Sequence, residues 1–261
     1  MTLQRAADAA AILAAARRDG RLIEPLPDSC RPRSIAEGYE VQSALLEIWP
    51  DSVAGWKIGA TSPVTMERFG VSEPIYGPFF ARDVHASPAS PSISGARPLA
   101  IECEFAYRLG ADLPARPTPY SRAEIVEAID ALIPAFEIVS PRFAKIPFDH
   151  APSAAADCML NYAMILGTPI SDWRDIDAAK HSVQLRIDGL DTGEGTGSEC
   201  LGDPRNVLDW VVEKLRASGA GLKKGHILST GTCTGIVPLK KGQTAVADFG
   251  PLGKVEVRFS S

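Results

Sequence analysis

The stretch "AIECEFAYRL", residues 100–109, decides how this chain is read. Its aromatic and apolar content is that of a strand, yet it carries Glu102 and Glu104 two positions apart. Side chains alternate along a strand, so Ile101, Cys103 and Phe105 point one way and the two glutamates the other. Like charges side by side repel, and burying them unpaired costs on the order of several kcal/mol each. Either that face is wet, or something positive sits between the carboxylates.

Working outward, "LIPAFEIVSPRF", residues 132–143, holds a third acid, Glu137, alone in an apolar run. Three oxygen ligands without His or Cys partners suit a hard cation, and Mg²⁺ keeps waters that a substrate can replace. The plainer alternative is an E-x-E pair on an edge strand, solvated or paired with Lys or Arg, and the residues alone leave both open. "AGWKIGATS", residues 54–62, places Lys57 between Trp56 and Ile58 in another apolar strand. A lysine there either snorkels outward or enters a pocket, where carboxylates keep it protonated and it steadies an anionic ligand.

The chain has 261 residues, 32 acids against 27 Lys plus Arg, a formal charge of −5 and 45% hydrophobic residues. That builds a full core in one large domain or two small ones. An acidic balance without a clustered basic tract argues against nucleic acid as a partner. No window approaches the roughly 18–20 unbroken apolar residues of a membrane helix. The alanine-rich N-terminus carries Asp8 inside it and Arg17-Arg18 after it, the wrong order for a secretory signal. Leu3, Ala6, Ala10, Leu13 and Ala14 instead fit an amphipathic helix. Five scattered cysteines with no CxxC read as reduced thiols of a cytoplasmic protein.

Further helices are expected over 34–49 and 121–136, each opening with a capping box (Ser34/Glu37, Ser121/Glu124), and over 203–219, with Asp203 at the cap and Pro204 at N1. Strand-like runs fall at 53–60, 100–109, 136–141, 162–167, 181–189, 226–231, 244–250 and 254–259. "EPIYGPFF" (73–80) and "SPASPSISGARP" (87–98) read as irregular loops. The expectation is an α+β protein: a helical segment over 1–52 packed on a β-rich body over 53–261, as one structural unit.

"RRDGRLIEPL", "GWKIGATS", "FGVSEPIYGPFF", "IECEFAYRL", "AFEIVSPRF", "GDPRNVLDWVVEKL" and the C-terminal "LSTGTCTGIVPLKKGQTAVADFGPLGKVEVRF" follow one another in an order and spacing that carry a resemblance. The chain resembles the 2-keto-4-pentenoate hydratase and 4-oxalocrotonate decarboxylase family, within the fumarylacetoacetate hydrolase superfamily. The resemblance implies a mixed β-sandwich roll and a divalent metal, Mg²⁺ or Mn²⁺, held by Glu102, Glu104 and Glu137. It also implies Lys57 as the active-site lysine, homodimers or larger homo-oligomers, and work on aromatic ring-cleavage products. The expected substrate is a short 2-oxo or 2-hydroxydienoic acid and the expected reaction is hydration. Decarboxylation of a vinylogous 2-oxo acid, C–C hydrolysis, and an inactive binding homologue are the alternatives.

The charges suit an anionic ligand only with help. Three carboxylates and one divalent cation sum to −1, and Lys57 brings the total to zero. Arg142 either adds to the substrate's hold or is a structural cation. The pattern departs from the family in three places. Relatives are expected to carry an aspartate just before the aromatic-Gly pair of "VSEPIYG", where this chain has Ile75. Glu73 is the nearest substitute for proton handling. "AADCMLNYAMILG", residues 155–167, keeps Asp157 but has Cys158 for an asparagine, with Asn161 near a serine position. In "STGTCTG", residues 229–235, Thr230 and Thr232 either donate hydroxyls to a substrate carboxylate or belong to a turn that uses Gly231. His150, in "FDHAP", is a further loop candidate.

Overall fold

A computed structural model describes residues 1–93 and 97–259. In chain order its elements are α1 (Leu3–Asp19), α2 (Ile35–Ile48), β1 (Val53–Gly59), α3 (Pro63–Phe69), β2 (Ile75–Phe80), β3 (Val84–Ala86), β4 (Ala100–Leu109), α4 (Arg122–Ala128), β5 (Ile129–Val139), α5 (Ala151–Ala156), β6 (Asn161–Leu166), β7 (Ser182–Ile187), β8 (Leu190–Thr196), α6 (Pro204–Ala217), β9 (Ile227–Thr232), β10 (Val237–Pro238), β11 (Thr244–Asp248) and β12 (Lys254–Arg258). The architecture is α+β and mixed. One sheet runs β2-β1-β9-β4-β5-β6-β3 with β10 added on β4, and a second runs β12-β11-β7-β8. Most neighbours are antiparallel, but β1 and β9 are parallel, as are β3 and β6.

The alternation along β4 organises the core. Ile101, Cys103, Phe105 and Tyr107 join Val183, Leu185, Ala245, Ala247, Val255 and Val257 of the second sheet in one apolar cluster. Phe105 meets Phe249 edge to face at 5.4 Å. Helix α6 closes another side with Val207, Leu208, Val211, Val212 and Leu215. Each such side chain, fully buried, contributes roughly 1.5–3 kcal/mol. Helices α1 and α2 pack together and on Phe80 through Ala10, Leu13, Val41 and Leu45. No described helix is long and apolar enough to cross a membrane.

Two expectations are corrected. The helix expected over 121–136 stops at Ala128, and Ile129–Val139 is a strand. The capping box at Ser121 and Glu124 is real, but it starts only a short helix. Pro134 has no N–H and breaks a helix interior, while β-branched Ile129 and Ile133 favour extended backbone. Pairing with β4 from Ala100↔Val139 to Leu109↔Ile129 then outweighs local helix preference. The loop expected at 73–80 contains β2, whose six residues are all buried. Its proline, Pro78, is tolerated because β2 is the edge strand of its sheet. The loop expected at 87–98 includes residues 94–96, which lie outside the described residues.

Candidate active site

Strand register assembles the site. Glu102 lies directly opposite Glu137 across β4 and β5. Glu104 lies beside β9, where Ala106 is opposite Ser229 and Ser229 opposite Lys57 of β1. Opposed residues share a face, so four adjacent strands present Lys57, Ser229, Glu104, Glu102 and Glu137 on the face turned away from the second sheet. Oxygens of the three glutamates lie within 4.8 Å of one another. Their exposures are 6% for Glu102 and 0% for Glu104 and Glu137, and Lys57 is 2% exposed, so water solvates none of these charges appreciably.

Hydrogen bonds claim only part of each carboxylate. Glu104 Oε2 accepts from the Ser229 hydroxyl and from the Gly231 N–H at 3.1 Å. Glu137 Oε1 accepts from Asn161 Nδ2 at 2.9 Å. Lys57 Nζ approaches Glu137 Oε2 at 2.9 Å as an ion pair, outside hydrogen-bond geometry. Glu104 Oε1 and Glu137 Oε2 are buried without hydrogen-bond partners. Burial pushes the Glu102 carboxyl up to about 8, Lys57 opposing and Glu137 adding to the rise. Burial, then Glu137 and Glu102, raise Glu104 well above the usual range. Burial alone lowers Lys57, but Glu137, Glu102 and Glu104 together hold it above its ordinary value, as an ammonium. Three crowded acids, with Glu104 Oε1 unpartnered and Glu137 Oε2 held only by the Lys57 ion pair, and no His or Cys in the cluster make a donor set that fits a divalent hard cation.

Two tight approaches hold this geometry. Gly231 has φ 93°, and a Cβ there would collide with the Thr61 hydroxyl, so only glycine aims this N–H at Glu104. At Gly77 of β2, opposite Lys57, a Cβ would collide with the Cys158 carbonyl. Cys158, Met159 and Leu160 are three successive left-handed residues, φ 53°, 48° and 66°. Such residues cost of order 1–3 kcal/mol each. The turn they make carries Met159 to the site and Asn161 to Glu137.

The residues expected at the site divide. Glu102, Glu104, Glu137 and Lys57 are brought together. Thr232 lines the adjoining cavity, its hydroxyl donating to the Gly235 carbonyl at 2.9 Å. Thr230 is turned away and donates to the Phe105 carbonyl at 2.7 Å. Arg142 is 1% exposed and clamps the left-handed turn: Nε donates to Asp157 Oδ1 at 2.6 Å and Nη1 to the Asn161 carbonyl at 2.8 Å. It is committed to structure, not directed at a ligand. Glu73 pairs on the surface with Lys214 at 2.6 Å and is away from the cluster. Ile75 is buried among Ala60, Phe69, Met159 and Leu160, so an apolar side chain fills the place of the expected aspartate. His150 lines a different cavity with Lys145 and Asp149. Ser229 and Thr61 were not evident from sequence, and Asn161 only by its place near a serine position. Alternation along β9 would select Ser229 once the register with Lys57 is known.

The cavity beside Lys57 and Glu102 is narrow, about 30 Å³, room for a few waters at most. Thr61, Thr65, Gly231 and Thr232 contribute its other polar groups, and Phe69, Ile146, Phe148, Met159 and Ile236 most of its apolar wall.

Residues 79–260 match the model of the fumarylacetoacetate (FAA) hydrolase C-terminal family. A 2-keto-4-pentenoate hydratase of Paraburkholderia xenovorans (strain LB400) is 28% identical, covering 100% of this chain and 97% of the relative. A 2-hydroxyhexa-2,4-dienoate hydratase of Comamonas testosteroni is 26% identical, covering 94% of each. Among solved structures, the 4-oxalocrotonate decarboxylase from Pseudomonas putida G7, complexed with magnesium and adipate, superposes with TM-score 0.90 at 24% identity, covering 99% of this chain and 98% of that one. The fumarylpyruvate hydrolase from Pseudomonas aeruginosa, in complex with Mn²⁺ and pyruvate, gives 0.61 at 14% identity, covering 78% and 88%.

Proposed function

Because the chain belongs to the fumarylacetoacetate hydrolase family, we propose that it is a divalent-metal-dependent lyase that adds water to a short 2-hydroxydienoic acid from aromatic-compound breakdown. The observation that carries this reading is the convergence of Glu102, Glu104 and Glu137, with Glu104 Oε1 left without a partner, beside a buried ammonium that pairs with Glu137 Oε2. These carboxylates would hold Mg²⁺ or Mn²⁺. A cation held there would supply Lewis acidity to a bound 2-oxo acid.

The remaining work belongs to the chain. Lys57 cancels the site's residual negative charge, so a second carboxylate, the substrate's, enters without net repulsion. Its Nζ, protonated and on the cavity wall, is the proton donor for the far carbon of the dienoate. Protonation there, with the enol hydroxyl proton returning to Lys57, yields a conjugated ketone, and water then adds across its remaining double bond to give a 4-hydroxy-2-oxo acid. The Thr61 hydroxyl, also on the cavity wall, is suited to hold that water.

Decarboxylation of a vinylogous 2-oxo acid is the second reading. It is favoured by one observation: apart from Glu102, no carboxylate lines the cavity among the described residues. Glu73 is spent on Lys214, and Ile75 is apolar, so neither supplies a base for the water that adds to the conjugated ketone. Product analysis with Mg²⁺ and a 2-hydroxypenta-2,4-dienoate decides. A 4-hydroxy-2-oxo acid supports hydration. Turnover only of a 2-oxo-enedioic acid, with release of CO₂, replaces it by decarboxylation. Mg²⁺-dependent oxalate binding without any turnover would make the chain a binding homologue.

A further inference from the structure

The N-terminal helix reaches the acid cluster through one side chain. Arg17, in the last turn of α1, has a side chain only 8% exposed. Its guanidinium lies 5.7 Å from the Trp49 ring centroid and 5.2 Å from that of Phe80. Nη1 is 3.5 Å from Asp83 Oδ2, and Nη2 donates to the Asn161 carbonyl at 3.1 Å. That carbonyl also accepts from Arg142 Nη1 at 2.8 Å, so two guanidiniums hold one oxygen. Asp157 offsets the charge of Arg142, and Asp83 that of Arg17. From the same residue, Asn161 Nδ2 donates to Glu137 Oε1 at 2.9 Å. Arg17, Asn161 and Glu137 thus form one line of contacts from α1 to the cluster.

Little else fixes the Asn161 amide. Its Oδ1 is buried without a partner among the described residues, and besides Glu137 its Nδ2 has only Met164 Sδ, at 3.6 Å. Strand pairing is irregular at this point, for Ile138 is opposite Ala163 but Val139 opposite Asn161, with one residue skipped. The three left-handed residues just before it, Cys158 to Leu160, store strain that a loosened turn would release. The arginines oppose that release in different ways. Arg142 ties the two ends of the turn, Asp157 and Asn161, to each other. Arg17 ties the turn to another part of the fold, the packing of α1 on α2 and Phe80. We infer that Arg17 is a positioning residue for the metal cluster: by fixing the Asn161 carbonyl from α1, it keeps the Asn161 amide on Glu137 and that carboxylate turned toward the other two acids. The inference rests on the metal-site reading above and deepens it by making the N-terminal helix part of what holds a cation ligand in place.

Calorimetric titration of the full chain with Mg²⁺, alongside circular dichroism melts that verify folding, tests it. Arg17→Met is expected to weaken Mg²⁺ binding about tenfold, the low end of what outer partners of metal ligands cost. Asn161→Ala removes the amide itself and is expected to weaken binding at least as much. Because Arg17 acts through that amide, the double variant should bind Mg²⁺ about as Asn161→Ala does, without the two losses multiplying. Leu13→Ala opens a cavity in the packing of the same helix. It is expected to lower the melting temperature while leaving Mg²⁺ affinity within about twofold of wild type. If Arg17→Met does not fold, Arg17→Lys, which keeps the charge and loses the fork, is read in the same way. Wild-type Mg²⁺ affinity in the Arg17 variant, losses that multiply in the double variant, or an equal loss in Leu13→Ala would each overturn the inference and leave the metal reading standing. A wild-type chain that binds no Mg²⁺ overturns the metal reading, and this inference with it.

Discussion

Glu104 receives two hydrogen bonds through Oε2 and none through Oε1, and it has no access to water. A carboxylate so placed is costly without a cation and useful with one. Glu104→Gln removes a charge and a ligand while keeping the shape. It is expected to weaken Mg²⁺ binding by at least about 100-fold, since changes one shell further out already cost 10–100-fold. Titration calorimetry with a circular dichroism melt checks this; unchanged affinity in a folded variant removes Glu104 from the site. Lys57→Met should weaken oxalate binding when compared at constant metal occupancy, and equal oxalate affinity would exclude Lys57 from ligand binding. Arg142 shows how a sequence reading is limited at this scale. Its number, five after Glu137, invites a substrate role, yet its guanidinium is consumed by Asp157 and the Asn161 carbonyl. Asp157→Ala strands that buried cation and is expected to destabilise the protein by about 3–5 kcal/mol. A denaturation midpoint within error of wild type would refute it.

At the scale of elements, the sequence marks beginnings better than lengths. Ser121 and Glu124 form their capping box as expected, the Ser121 N–H donating to Glu124 Oε2 at 2.8 Å. Yet the helix they start yields to β5 after Ala128. Caps act on one turn, whereas strand pairing acts along the whole of β4. Hydrogen bonds from the Ser121 N–H and hydroxyl, then Arg116, hold the Glu124 carboxyl down at about 2, below its ordinary 4.5. A depressed carboxyl contributes stability that is complete above its unfolded value and disappears as pH falls through its folded one. Glu124→Gln should therefore melt below wild type at pH 7, with the difference narrowing between about pH 4.5 and pH 2. A gap that widens in acid would contradict this account of the cap.

For the whole molecule, β4 divides the large sheet's two roles: one face packs on the second sheet in the apolar core and the other carries the acid cluster. Because the cluster forms only when β1, β9, β4 and β5 are in register, a cation bound there stabilises the folded chain against the unfolded one. Mg²⁺ at one hundred times its Kd should add about 2.7 kcal/mol. For a chain of this size that corresponds to a rise in Tm of several degrees. Loss of the rise in Glu104→Gln would locate it at the triad, and a wild-type melt indifferent to Mg²⁺ would argue against a metal there. The sequence by itself determined the strand character of 100–109, the two acids on one side of it, the capped helices, and the lysine and third acid in apolar runs. Those are properties of local period and composition. Which acids meet, that Thr230 and Arg142 turn away, that Glu73 stays on the surface, and that Ile75 is buried among apolar side chains were decided by tertiary structure. Register between strands far apart in the chain sets those distances, and no local pattern encodes it.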